Sequence, residues 1–102
     1  MRKVIPGTRF AAEVAVQVAA LHAAAEWSWV ATLEQDLDET SQLLARFPDA
    51  GRELARDGER TLRKLRLRRA PFYVWYRTAE GEDTRLVRLF HVRQRTPRPR
   101  AR

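Results

Sequence analysis

The chain has 102 residues, 44% hydrophobic and 32% charged, with a formal net charge of +7. That length suits a single domain, and that balance suits a folded chain rather than a disordered one. Cysteine is absent, which excludes disulfides, thiolate metal sites and a cysteine nucleophile, and two histidines (His22, His91) are too few for a multi-histidine centre. In chain order, residues 2–7 read as a short lead-in, one edge strand at most, stopped by Pro6-Gly7. Thr8 is the expected N-cap of a helix over Arg9–Ala25, where Phe10, Val14, Val18, Leu21 and Ala25 recur at helical steps. The alanines around Val14, Val16 and Val18 favour helix over strand.

A second helix is predicted from Trp27 or Ser28 to Arg46, burying Trp29, Leu33, Leu37, Leu44 and Phe47, with Val30 and Thr40 extending the stripe. Its polar face carries Glu34, Asp38 and Ser41. Pro48 and Gly51 end it, and the short link between the helices predicts a hairpin. Residues 52–60 are polar and read as a loop, with Asp57-Gly58 as a turn signal. Thr61–Arg69 ends in alternation and reads as a strand. Phe72–Tyr76 is apolar on both faces, as a central strand is. Residues 79–83 form a hairpin loop. Thr84–Val92 is the next strand, with Leu86, Arg88, Phe90 and Val92 on one face and Arg85, Val87, Leu89, His91 and Arg93 on the other. The predicted fold is α+β: a helical hairpin on one face of a small, mainly antiparallel sheet, in the order β-α-α-β-β-β. One domain over 1–95 is expected, followed by a basic Pro/Arg tail over 96–102 that Pro97 and Pro99 keep out of a central strand, read as flexible.

The charge is split. Residues 1–59 hold six basic and ten acidic side chains, and residues 60–102 fourteen basic and three acidic, or −4 against +11. All the basic residues except Lys3 and Lys64 are arginine, the better partner for bidentate contact with phosphate or carboxylate. The C-terminal half therefore predicts an anionic partner, nucleic acid or an acidic protein segment. No stretch is apolar long enough to cross a membrane, and no apolar core with a cleavage site follows Met1-Arg2-Lys3. The expectation is a cytoplasmic protein with no membrane partner.

Three segments carry a family likeness. Leu44–Arg52 contains an "FP-x-x-G-R" loop at a helix end. Leu65–Tyr76 is a basic strand followed by an aromatic one ending in tyrosine. Val87–Arg95 is a closing "L-x-H-x-R" strand. In this order and spacing they resemble the RelE/ParE superfamily of toxins from bacterial type II toxin–antitoxin systems, over roughly Phe10 to Arg95. Two departures stand out: the lead-in strand is interrupted by Pro6, and the tail lacks the tyrosine that mRNA-cleaving members place near their end.

The resemblance implies growth inhibition, plasmid stabilisation as a role, a hetero-oligomer with a cognate antitoxin, and contact with operator DNA only through that antitoxin. It implies no cofactor and no metal. ParE-like members bind DNA gyrase, whereas RelE-like members cleave mRNA on the ribosome. Cleavage needs a base, an acid and cations around one phosphate. The catalytic candidates for that chemistry are His91, Arg68, Arg69 and Arg93. Histidine is the residue type that can serve as acid or base near neutral pH, but His91 reads more readily as a strand-end histidine satisfied by the backbone. Candidates for holding a target or antitoxin are Arg66, Arg68, Arg88, Arg93, Arg95 and Arg98. Tyr73, Trp75 and Tyr76 read as core. The ParE-like branch is preferred, with a RelE-type endoribonuclease and a non-toxic nucleic-acid-binding module as alternatives.

Overall fold

A computed structural model of the chain describes residues 2–101. Arg102, the last residue of the predicted tail, lies outside the described residues. The elements are β1 (Val4–Pro6), α1 (Thr8–Ala23), α2 (Trp27–Arg46), β2 (Arg52–Asp57), β3 (Arg60–Arg66), β4 (Phe72–Ala79) and β5 (Thr84–His91). The strands form one sheet in the order β1-β5-β4-β3-β2. β1 is parallel to β5 and all other pairs are antiparallel. The α+β architecture and the central place of β4 are as the sequence predicts.

Both helices are as expected in kind, but details shift. Gly7, not Thr8, occupies the N-cap of α1, and no side chain caps it. Ala25 has φ 55, a left-handed turn residue between the helices rather than part of the buried stripe. On α2 the buried positions are Val30, Leu33, Asp36, Thr40 and Leu44. Trp29 and Phe47, predicted as buried, are 42% and 60% exposed. The stripe is rotated because Asp36, not an apolar residue, faces the sheet.

Residues 52–60 are not a loop. They form β2 and a turn at Gly58-Glu59 into β3, and Gly58 supplies the positive φ (62) that the turn requires. β2 escapes a hydrophobic pattern because it is an edge strand. Only Leu54 and Ala55 are half-buried in it, and its register shifts between Glu53 and Ala55.

A second irregularity lies in β5. Trp75 pairs with Arg88 and Tyr76 with Leu86, so Val87 is an extra residue in the ladder. This bulge resets the alternation. Leu86 and Leu89 both join the core under the helices, while Phe90 joins the opposite face. The predicted grouping of Leu86 with Phe90 is therefore wrong, because strict alternation counts through a bulge that the ladder skips.

The main core lies between the helices and the sheet. Phe10, Leu33 and Leu44 pack from above onto Phe72, Val74, Tyr76, Leu86 and Leu89. A smaller cluster of Leu62, Trp75 and Phe90 lies on the other face. Residues 92–101 form no regular element and return across that face, where Ala101 is 4% exposed against this cluster. Among the described residues no helix is long and apolar enough to cross a membrane.

Candidate functional site

Residues directly opposite in an antiparallel ladder share a face. The face away from the helices therefore carries Leu62, Lys64 and Arg66 of β3, Tyr73, Trp75 and Arg77 of β4, and Arg85, Arg88 and Phe90 of β5. Its middle is apolar, with the Trp75 and Phe90 rings edge to face at 4.8 Å. Cations lie on its aromatic rings. Lys64 Nζ is 4.6 Å from the Tyr73 centroid, Arg66 Cζ 5.7 Å from the same ring, and Arg88 Cζ 4.4 Å from that of Phe90.

His91 lies elsewhere. It follows Leu89 on the helix side, edge-on to Phe72 at 5.3 Å, in a cleft of about 170 Å³ shared with Leu21, Glu26 and Trp29. Its Nδ1 accepts the backbone N–H of Arg93 at 3.1 Å. Its own N–H donates to the Gln94 side chain at 3.3 Å.

The other predicted site residues separate into bound and free. Arg69 is held by Asp36 at 2.9 Å and Glu39 at 3.1 Å. Arg88 is held by Glu13 at 3.0 Å. Arg68 is exposed in the β3–β4 loop, and Arg93, Arg95 and Arg98 are exposed after β5. The structure brings His91, Arg93 and the β3–β4 loop to one end of the sheet, because Phe72 pairs with His91 and Val92 N–H donates to Pro71 O. It does not put His91 on the face that carries Arg66 and Arg88.

The ParE toxin family of type II toxin–antitoxin systems (parDE) has a model that matches residues 10–96. The chain belongs to that family. A solved structure titled "Chromosomal ParDE TA system from P. aeruginosa" aligns with a TM-score of 0.68 at 17% identity, over 89% of this chain and 96% of that one. At that identity the likeness bears on the fold. No curated protein matches the chain.

In this ParE-family chain the "FP-x-x-G-R" loop is a latch. The Tyr76 hydroxyl donates to Pro48 O at 2.8 Å and accepts the Gly51 N–H at 2.7 Å. A Cβ on Gly51 would sit 2.6 Å from Lys64 O and 2.7 Å from that hydroxyl, so only glycine fits. Arg63 donates to Gly51 O at 3.0 Å and closes the latch from β3. The tyrosine ending the aromatic strand was read as core, and its hydroxyl proves to join α2 to the sheet. Sequence reasoning also missed Asp36, Glu13 and the arginines at the far end of the open face. Arg77 and Arg85 stand symmetrically about Gly81, a hairpin signal that could have paired them.

Proposed function

We propose that the chain is a growth-inhibiting toxin that acts by binding a protein target, DNA gyrase being the one the family points to. A cognate antitoxin neutralises it as a hetero-oligomer, and operator DNA is met only through that antitoxin. The setting is the cytoplasm, where both partners work.

One observation carries the preference for binding over cleavage: His91 and the open-face cations Lys64 and Arg66 are on opposite sides of the sheet. A nuclease base must reach the 2′-hydroxyl beside the same phosphate that the cations hold. In addition, an Nδ1 that accepts a backbone N–H leaves the proton of a neutral ring on Nε2, so the outward nitrogen is a donor and not a base. Of the cations that share the His91 end of the sheet, Arg69 is already paired with two carboxylates, while Arg68 and Arg93 are exposed.

Controlled expression tests this reading. The chain alone should halt growth, and co-expression of the antitoxin encoded beside it should restore growth. His91→Ala should inhibit growth as the unchanged chain does. Loss of inhibition in that variant, with fold and antitoxin affinity intact, would point to the ribosome-dependent endoribonuclease instead.

A further inference from the structure

The sheet has one long free edge, β2. Among the described residues its backbone hydrogen bonds run to β3, and no other backbone group reaches it. The opposite edge is short: β1 has three residues and ends in proline.

The sequence of β2, Arg-Glu-Leu-Ala-Arg-Asp, is complementary to itself. Laid antiparallel against a second copy, about a two-fold axis between Leu54 and Ala55, it sets Arg52 opposite Asp57, Glu53 opposite Arg56 and Leu54 opposite Ala55. Every charge then meets its opposite. A slip of one residue either way sets Arg52 opposite Arg56, or Glu53 opposite Asp57, and like charges directly opposite destabilise a ladder.

A regular strand could not use this register. Directly opposite residues share a face, whereas positions an odd number apart, such as Arg52 and Asp57, point to different faces. The bulge in β2 removes the conflict. Its register shifts between Glu53 and Ala55, so Arg52, Ala55 and Asp57 lie opposite Lys64, Leu62 and Arg60, while Glu53 and Arg56 lie opposite Arg63 and Thr61. Arg52 and Asp57 therefore share the open face, and Glu53 and Arg56 share the helix face. The pair of Glu53 and Arg56 at 2.6 Å within the chain fits that arrangement. Leu54 and Ala55, at the axis, are half-buried against the cluster of Leu62, Trp75 and Phe90, and a second such pair would extend its apolar margin.

A bulge and charged side chains are also the usual means of keeping sheet edges apart. A protective edge, however, repels its own copy, as a row of one sign does. β2 carries two charges of each sign, no lysine and no proline, in an order that attracts a copy.

We propose that a second copy of this chain pairs with β2, antiparallel about Leu54-Ala55, and joins two five-stranded sheets into one. The contact is isologous, so it closes at two chains. It uses neither the open face nor the His91 cleft, and it is independent of which target the toxin inhibits. One pair of short strands buries less than a standard interface, so the dimer forms at high concentration and dissociates on dilution.

Sedimentation of the purified chain over a concentration series tests this. The mass should rise from one chain to two, and exchange of the β2 backbone amides should slow in step. Arg56→Glu alone sets like charges opposite each other on both sides of the axis and should weaken the dimer by about tenfold, as should Glu53→Arg alone. An equimolar mixture of the two variants should associate again, because each glutamate of one then faces an arginine of the other. Both substitutions break the Glu53–Arg56 pair within the chain, so that loss does not explain recovery in the mixture. If either variant fails to fold, the concentration dependence of β2 amide exchange in the unchanged chain carries the test. A single-chain mass at every concentration, a dimer indifferent to both substitutions, a mixture no better associated than its components, or a dimer whose β2 amides exchange as before would each overturn the proposal. Protection of those amides only on adding the antitoxin would give the edge to that partner and overturn it too.

Discussion

Asp36 stands where the helical stripe of α2 calls for an apolar side chain, and its carboxylate is wholly buried. It accepts the N–H groups of Arg69 at 2.8 Å and Ala70 at 2.7 Å, and the Arg69 guanidinium at 2.9 Å. The β3–β4 loop is thus held to the helix by one side chain. Burial alone would raise the Asp36 pKa, but the N–H groups of Ala70 and Arg69 and the charge of Arg69 outweigh it and hold the pKa below the ordinary 3.8. A depressed carboxylate stabilises the fold above its unfolded pKa, and that contribution fades as pH falls through the folded value. Asp36→Asn should therefore cost about 1–3 kcal/mol near neutral pH, because an amide cannot accept all three bonds. Thermal melts should show the gap between variant and parent narrowing below pH 3.8. A constant gap would contradict this account. Nothing in the spacing of α2 marks Asp36 for this work. Its partners are more than thirty positions away, and a lone aspartate on a helix reads as solvated.

Two elements depend on single side chains for their junctions. Tyr76→Phe would leave the Gly51 N–H and Pro48 O without partners at the end of α2, at about 1–3 kcal/mol. For a domain of this size, each kcal/mol lowers Tm by roughly 4–8 °C. Gly51→Ala should be worse, since Lys64 O, the atom its Cβ meets, is backbone and cannot swing away. The second junction is at the edge of β5. β1 ends at Pro6, and beyond it Glu13 of α1 accepts the Leu89 N–H at 3.0 Å in place of a strand. Glu13→Ala should cost about 1 kcal/mol and speed amide exchange at Leu89, with distant β4 amides unchanged. Unaltered exchange at Leu89 would remove the edge-capping role. The long, periodic elements were legible: Phe10, Leu33 and Leu44 lie at helical steps, and Phe72–Tyr76 is apolar throughout. β2 and the β5 bulge were not legible. β2 carries Arg52, Glu53 and Asp57, residues that disfavour strands, and is kept by pairing with β3 rather than by pattern. The bulge at Val87 exists only in the ladder.

For the whole molecule, the −4 half supplies both helices and the edge strands β1 and β2, and the +11 half supplies β3, β4, β5 and the tail. The acidic half contributes the helices, whose Glu13, Asp36 and Glu39 neutralise Arg88 and Arg69. On the proposed reading, the open-face cations other than Arg88 are the ones that meet a partner. Of the candidate site, the richness in arginine was legible, but which arginines are spent inside the fold was not. Arg69 and Arg88 look in sequence like Arg66 and Arg77, and only tertiary packing sets them apart. On the proposed reading the positive face is the binding surface, and His91 lies on the opposite side of the sheet. The most direct test is a supercoiling assay with purified gyrase and the purified chain, run beside a ribosome-bound mRNA cleavage assay. The account predicts inhibited supercoiling and intact mRNA, with the antitoxin reversing the inhibition. Undisturbed gyrase together with cut mRNA would contradict it.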